Sequence, residues 1–305
     1  MLVCASTRVA MGDLHLSADS TDLVLPPADA ASRVGRYARA LRSAVFFLAY
    51  FAYLTIIIGL GQRLLLWPAM LLVPSRRPRM VRAWLRGHAR ATLGMARALA
   101  GFRLSIAGAI PAESCIVVMN HQSVLDIPIG LHLVPGPYPL IPTRDRYRRG
   151  IPAISPLARL AGYPFVSQKR TIARAELAAL TDAADLVARG ERSLLIYPEG
   201  HRSRDGRLGR FMRSGLRIVL ARARRPVYCV VADGMSHART TADALFRFAG
   251  TRVNIRVLGP FPPPDASGID GFIDALHERM TDALADMRRP TSDHRARAAD
   301  PTAAR

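Results

Sequence analysis

Residues 120–126, Asn-His-Gln-Ser-Val-Leu-Asp, carry the side chains best suited to acid–base chemistry. They follow an apolar run, residues 115–119, that predicts a buried strand, so His121 comes at a strand end. Asp126 lies about one helical turn further on and can accept a hydrogen bond from one imidazole nitrogen. That bond would leave the other nitrogen as a base for a hydroxyl. The same spacing also occurs where an aspartate only caps a surface helix.

A second polar segment, residues 197–203, reads Tyr-Pro-Glu-Gly-His-Arg-Ser and closes another predicted strand, residues 193–197. In open α/β sheets, ligands bind at the carboxyl ends of the strands. Gly200 allows the backbone to approach a ligand closely, and Arg202 can hold a phosphate through two hydrogen bonds. Taken by itself, this segment is equally compatible with a plain polar turn.

The elements that must position these two segments form a regular alternation after residue 100. Helical periodicity is found over residues 171–189, 214–224 and 269–287. Short β-branched runs predict strands at residues 103–107, 115–119, 139–143, 163–167, 193–197, 227–232 and 253–258. The alternation predicts an α/β fold with a mostly parallel sheet flanked by helices.

The N-terminal part of the chain predicts a membrane attachment. Residues 43–62 contain no charged side chain, and twenty helical residues span about 30 Å, the thickness of a bilayer core. A buried core helix or a signal-peptide core is the alternative reading. A second apolar piece, residues 64–73, is too short to span and would lie in the interface or form half of a hairpin.

These patterns divide the chain into four parts. Residues 1–35 are expected to be a disordered leader, 36–78 a membrane-anchoring segment, 79–289 the α/β domain and 290–305 a disordered tail. More arginines follow the apolar segment than precede it, which favours a bacterial-type cytoplasmic (inner) membrane with the α/β domain facing the cytosol. The arginines of residues 76–90 could also contact anionic headgroups.

The formal net charge of +20 attracts anions in general. Almost all of the positive charge is arginine, since Lys169 is the single lysine. No basic run is interleaved with aromatic residues, so nucleic-acid binding is not expected. The three cysteines are dispersed and predict neither a disulfide framework nor a zinc site. Cys115 and Cys229 lie in apolar runs and are expected to be buried.

The two polar segments together resemble the motifs of the glycerolipid acyltransferase family, which carries Asn-His-x4-Asp and, further on, Glu-Gly-Thr-Arg-Ser. Residues 120–126 match the first motif, and residues 199–203 match the other except for His201 in place of threonine. An intermediate family block, Gly-x-x-Phe-Ile-Asp-Arg, matches residues 162–166, but Ser167 and Gln168 replace its Asp-Arg pair. Lys169 or Arg170 would supply the cation from a shifted position. Cys229 stands where a fourth block usually has proline. The resemblance covers about residues 80–262.

The resemblance implies an O-acyltransferase that uses no cofactor and no metal. His121 would be the general base that activates an acceptor hydroxyl, Asp126 would orient it, and the hydroxyl would attack an acyl thioester directly. Backbone donors near Glu199 and Gly200 would stabilise the oxyanion. Arg202 would hold the acceptor phosphate. The resemblance implies further substrate contacts at Asn120, Arg170, Glu199, Gly200 and Ser203.

Several alternatives stay open at this stage. The acceptor implied by the family is 1-acylglycerol-3-phosphate, which would give phosphatidic acid, whereas another lysolipid such as lyso-ornithine lipid fits the altered intermediate block. The donor would be acyl-CoA or acyl carrier protein, and membrane lipids would be partners. A catalytically inactive lipid-binding protein is a further possibility. A serine hydrolase is not favoured, since no Gly-x-Ser-x-Gly occurs.

Overall fold

A six-stranded sheet forms the centre of the molecule. The computed structural model describes residues 33–167, 173–203, 205–236 and 245–289. The sheet has the order β1-β8-β7-β2-β6-β3. Its strands are Arg103–Ala107 (β1), Ile116–Met119 (β2), Pro139–Leu140 (β3), Ser193–Ile196 (β6), Val227–Asp233 (β7) and Arg252–Phe261 (β8). Every pairing is parallel except that of β7 with β8, so the predicted mostly parallel sheet is confirmed.

The predicted strand at residues 139–143 is divided in the structure. Its first half is β3, and its second half belongs to Thr143–Arg144 (β4), which pairs with Phe165–Val166 (β5) in a separate two-stranded sheet. Pro142 stands between the two halves and cannot donate a ladder hydrogen bond, which explains the interruption. Residues 168–172, where the predicted strand and helix meet, lie outside the described residues.

Helices flank the sheet, as predicted. The buried positions of the later helices follow the predicted apolar faces, for example Leu180, Ala184 and Val187. Leu177 is the exception, since it is half-exposed. Within the described residues, the helices after β2 are Asp126–Leu133 (α4), Ile154–Leu160 (α5), Arg174–Ala188 (α6), Arg213–Ala223 (α7) and Ile269–Arg288 (α8), and they follow the N-terminal helical segments α1 to α3.

The N-terminal segment is one uninterrupted helix from residue 33 to residue 72. It begins as Arg33–Tyr53 (α1), widens into π-helical turns at Leu54–Leu60 and Gln62–Leu66, and ends as Trp67–Leu72 (α2). The predicted leader therefore gives way to helix before residue 35. No reversal separates the two apolar pieces. The chain turns at Pro74–Arg76 and runs into Arg77–Ala100 (α3), so the predicted boundary at residue 79 falls within the first turn of α3.

The buried side chains of this N-terminal helix recur every four residues. A four-residue repeat would drift around a helix of 3.6 residues per turn, and the wider π-helical turns keep the stripe on one face. The stripe packs on the domain: the rings of Phe46 and Phe248 lie 4.8 Å apart, and the Gln62 amide donates to the Ala153 carbonyl at 2.9 Å. The stripe comprises Phe46, Tyr50, Leu54, Ile58, Gln62, Leu66 and Met70.

The opposite face of the N-terminal helix is apolar and exposed. Its exposed large side chains include Leu48, Ile56, Leu64, Leu65 and Leu72. Residues 35–72 are long and apolar enough to cross a membrane by length and composition. The helix therefore has two apolar faces, one packed on protein and one available to another apolar phase.

Candidate active site

The two polar segments meet because their strands are parallel neighbours. In the register of β2 and β6, Ile116 faces Leu194 and Val118 faces Ile196, so both strands end at the same edge of the sheet. Both strands are buried along their whole length, as is typical of continuous apolar strands in parallel sheets. His121 and Glu199 follow the respective strand ends, and the structure brings the predicted residues of the two segments together at this edge.

His121 and Asp126 form a hydrogen-bonded pair. The His121 Nδ1 atom lies 2.8 Å from Asp126 Oδ2, and the same oxygen accepts the backbone N–H groups of Gln122 at 2.6 Å and Ser123 at 2.7 Å. The Asp126 side chain is completely buried, whereas that of His121 is 19% exposed and borders a cavity. A carboxylate acceptor at Nδ1 assigns the proton to that atom and leaves Nε2 free as a base.

Tyr197 holds this pair from the β6 side. Its ring centroid is 4.6 Å from that of His121, and its hydroxyl donates to the Asp126 backbone carbonyl at 2.8 Å. Burial raises the pKa of Tyr197 well above its ordinary value, so the hydroxyl stays protonated and remains a donor. The sequence did not identify this role. The available signal was a tyrosine at the end of the strand that leads into the second polar segment.

The Glu199 carboxylate joins the two polar segments to the loop that follows them. One oxygen accepts the His121 N–H at 2.9 Å and the other accepts the Gly209 N–H at 2.7 Å. Burial raises the pKa of Glu199, while these two backbone donors favour the charged form. A Cβ at residue 209 would lie 2.8 Å from Glu199 Oε2, so only glycine permits this approach. Gly200 has φ of 68°, a left-handed conformation that also favours glycine.

A basic cluster, which we define as Arg144, Arg146 and Arg202, lines the cavity beside Gly200. The Arg144 guanidinium donates to the Gly200 carbonyl from Nη2 at 2.6 Å and from Nε at 3.2 Å. The pKa of Arg144 is lowered, first by burial and then by the charges of Arg146 and Arg202. Within the described parts of the chain, no carboxylate forms an ion pair with any of the three. Such a cluster suits an anion.

Arg144 was not among the predicted site residues, although it follows the predicted strand at residues 139–143. The sequence assigned the shifted cation to Lys169 or Arg170, both of which lie outside the described residues. Arg202 and Ser203 do line the cavity, as does Gly200. Ser203 also donates its backbone N–H to the His121 carbonyl at 2.6 Å, so it helps to fix the position of the His121 segment as well.

Two predicted roles change in the structure. The Asn120 side chain is buried and exchanges two hydrogen bonds with the Ala232 backbone, at 2.8 Å and 2.7 Å. This geometry connects β2 to β7 and favours a positioning role over the predicted substrate contact. The Gly200 N–H donates to the Tyr197 carbonyl at 3.1 Å, because the Glu199–Gly200 turn closes on itself. That N–H is therefore already engaged, and is not a free donor for an oxyanion.

The cavity at this edge has a volume of about 850 Å³ and is lined by both polar and apolar side chains. The polar ones include His121 and the basic cluster. The apolar ones include Ile127, Ile141, Val166, Leu180, Ile196, Phe211 and Met212. Among the described residues, no group of three or more His, Cys, Asp or Glu side chains is arranged to hold a metal ion. Cys115 and Cys229 are buried, as predicted. The arrangement can therefore accommodate an apolar chain with an anionic group next to a base.

Comparison with known proteins agrees with this chemistry. Residues 102–233 match the family model described as Acyltransferase. The chain is 26% identical over 197 residues to the 1-acyl-sn-glycerol-3-phosphate acyltransferase alpha of Ovis aries, covering 64% of this chain and 66% of that relative. It is 27% identical over 171 residues to the human beta enzyme, covering 55% and 59%. The match thus spans just under two thirds of the length of these relatives.

A solved structure shows the same fold. The 1-acyl-sn-glycerophosphate (LPA) acyltransferase of Thermotoga maritima superposes with a TM-score of 0.64 and is 22% identical in sequence. The superposition covers 84% of this chain and 99% of the other. At this identity, the comparison supports the architecture of the sheet and its helices. The substrate has to be argued from the residues of the site.

Proposed function

We propose that this chain, whose residues 102–233 match the Acyltransferase family model, transfers a fatty acyl group from an acyl thioester to the hydroxyl of a lysophospholipid. The observation that carries this proposal is the His121–Asp126 pair at the border of a cavity whose lining combines three arginines without an ion-pair partner among the described residues and several apolar side chains. A base, an anion site and an apolar wall are the three features that acylation of a phosphate-bearing lysolipid requires.

The proposed reaction proceeds without an acyl-enzyme. His121 Nε2 takes the proton of the acceptor hydroxyl, and the oxygen attacks the thioester carbonyl carbon. The buried Asp126 carboxylate stabilises the imidazolium that forms. When the tetrahedral intermediate collapses, the carbon–sulfur bond breaks and the thiolate receives the proton from His121. A general base of this kind contributes typically 10²–10⁴-fold to the rate.

The basic cluster favours 1-acylglycerol-3-phosphate as the acceptor, with phosphatidic acid as the product. Its phosphate lies close to the reacting hydroxyl, so a cation site beside His121 is required, and Arg144 and Arg202 supply one. The relatives named above carry this substrate in their names. An acceptor without a phosphate, such as lyso-ornithine lipid, is the alternative. Ser167 and Glu176 favour it, because they share a hydrogen bond of 3.0 Å on the cavity wall and suit an amine.

We place the protein on the cytoplasmic membrane with the domain facing the cytosol. The exposed apolar face of the N-terminal helix is the proposed lipid contact, and the arginines of residues 76–90 lie on the adjoining α3 and the turn before it. The lysolipid would then reach the cavity from the membrane. The donor would be acyl-CoA or acyl carrier protein, both of which carry a phosphorylated pantetheine arm.

The test is acyl transfer from labelled acyl-CoA and labelled acyl carrier protein to a panel of lysolipids. Membranes containing the native protein are compared with membranes containing His121→Ala. We expect transfer to 1-acylglycerol-3-phosphate that is lost in the variant. Transfer only to a phosphate-free acceptor would change the substrate and keep the mechanism. No transfer by a folded native protein from either donor would favour a catalytically inactive lipid-binding protein.

A further inference from the structure

Arg210 lies where the main cavity adjoins a second, smaller one. The second cavity has a volume of about 240 Å³ and lies between α8 and the loop that follows Glu199. Arg210, Phe211 and Arg213 line both cavities, so they form the junction. The remaining wall of the second cavity combines apolar and polar side chains, Leu208, Ile273, Asp274 and His277.

Arg210 differs from Arg207, Arg213 and Arg217 in forming no ion pair with any described residue. Arg213 is paired with Asp274, Arg217 with Asp270 at 2.6 Å, and Arg207 with Asp205 at 4.0 Å. Among the residues for which the structure gives positions, no carboxylate forms an ion pair with Arg210, and its side chain is exposed. An exposed cation at the junction of two cavities is available to an anionic ligand.

Arg210 is also separate from the basic cluster. Arg144, Arg146 and Arg202 line only the main cavity, whereas Arg210 lines the second cavity as well. The cavity therefore has two cationic positions. In a lysophosphatidic acceptor, the phosphate lies within a few bonds of the reacting hydroxyl. In an acyl thioester donor, the whole pantetheine arm separates the reacting carbonyl from the first phosphate. A site that joins these two substrates thus requires an anion-binding position near the reacting atoms for the acceptor phosphate. It also requires a second one further away for the donor phosphate.

We infer that Arg210 binds the phosphate of the donor's pantetheine arm, and that the arm passes Phe211 along the second cavity. This inference rests on the proposed function and adds a donor subsite to it. Leu208, Phe211 and Ile273 supply apolar contacts for the methylene and dimethyl groups of the arm. The basic cluster is then left for the acceptor phosphate.

The test compares donors with and without this phosphate. Acyl-CoA and the acyl thioester of 4′-phosphopantetheine carry it, whereas the acyl thioester of pantetheine, which differs from the second donor in this phosphate alone, lacks it. We expect Arg210→Ala to lower kcat/KM with acyl-CoA and with acyl-4′-phosphopantetheine roughly tenfold, which corresponds to about 1.4 kcal/mol. The same variant leaves kcat/KM with acyl-pantetheine and the KM for the lysolipid unchanged. Arg210→Lys, which retains the charge, recovers most of the loss. Arg207→Ala, on the same loop but outside both cavities, is the matched control.

The outcomes separate this inference from the proposed function. Two results would overturn the donor subsite while the native protein still transfers acyl groups. One is an equal loss of kcat/KM in Arg210→Ala with acyl-CoA and with acyl-pantetheine. The other is no loss of kcat/KM with acyl-CoA or with acyl carrier protein. Acyl carrier protein carries the same phosphate as a diester, so a loss confined to acyl-CoA or to acyl carrier protein identifies the donor that uses Arg210. If the native protein transfers from none of the donors, the proposed function itself fails.

Discussion

At the scale of single residues, Asp126 performs two tasks that can be separated. Its Oδ2 accepts two backbone N–H groups, which stabilises the turn, and it accepts the His121 Nδ1–H, which would serve the proposed catalysis. In Asp126→Asn, the amide oxygen can keep the backbone bonds, but the negative charge is lost. We expect a melting temperature near that of the native protein and a fall in kcat of about 10²–10⁴-fold.

Asp126→Ala is the companion variant. It removes the backbone acceptor too, so both the melting temperature and kcat should fall. If Asp126→Asn transferred acyl groups at the native rate, Asp126 would be only a turn-stabilising residue, as the spacing alone also allowed.

Gly209 is a site where one methyl group should disturb catalysis. A Cβ there would lie 2.8 Å from Glu199 Oε2, and the carboxylate would have to move away from the His121 and Gly209 N–H groups. We expect Gly209→Ala to lower kcat at least tenfold, since the His121 segment loses a buried anchor. Gly271→Ala on α8, where a Cβ meets no atom within 4 Å, is the matched control. Equal kcat in the two variants would show that the Glu199 contacts are dispensable.

The sequence predicted those site residues whose roles depend on local order. His121, Asp126, Glu199, Gly200, Arg202 and Ser203 sit in two short segments at predicted strand ends, and parallel pairing brings them together. Arg144 and Tyr197 were missed because their roles depend on contacts across 56 and 71 residues of chain. Asn120 was assigned to the substrate because it belongs to the Asn-His-x4-Asp motif on which the resemblance rests. Its two bonds to Ala232 depend on strand pairing that a linear pattern does not contain.

At the scale of elements, the strands and later helices followed from apolar periodicity, since burial selects it directly. The strand at residues 193–197 and the helix at residues 269–287 agree with β6 and α8 to within a residue. The N-terminal helix was only partly predictable. A run that is apolar on all sides has no amphipathic signal to show which face packs on α3. The continuation of the helix through Arg63 could not be predicted either, because it depends on the same packing.

Packing between α1 and α3 should make stability depend on pH through His88. Its imidazole stacks on Tyr53 at 5.7 Å, and burial lowers the pKa of His88 to about 4. The unfolded chain binds a proton near pH 6.5 and the folded protein does not until about pH 4. Stability contributed by neutral His88 is therefore lost as the pH falls through this interval, by about 2 kcal/mol between pH 7 and pH 5.

His88→Phe keeps the stacked ring and removes the titrating group. We expect the melting temperature of the native protein, measured in detergent, to drop more between pH 7 and pH 5 than that of the variant. If the melting temperatures of the two proteins depended on pH identically, His88 would be hydrated or protonated in the folded state. That result would contradict its burial beside Tyr53.

At the scale of the whole molecule, the N-terminal helix joins the domain to an apolar phase. About forty helical residues extend roughly 60 Å, twice the thickness of a bilayer core. The buried stripe is in contact with the domain from Phe46 to Met70, so the helix follows the surface of the domain along much of its length. The exposed face is then held at a fixed orientation to the active-site cavity, which suits an acceptor that arrives from the membrane.

This arrangement predicts that charge on the exposed face detaches a folded protein. Leu48 and Leu65 are 73% and 67% exposed, so Leu48→Asp with Leu65→Asp should leave packing on α3 intact. A charged carboxylate in the apolar phase is costly, so we expect the double variant to float with phospholipid vesicles far less than the native protein. Leu177→Asp on α6, also exposed and apolar but remote from the helix, should float normally. If the folded double variant still floats fully with the vesicles, the arginines of residues 76–90 suffice for attachment. In that case, 1 M salt should abolish its flotation.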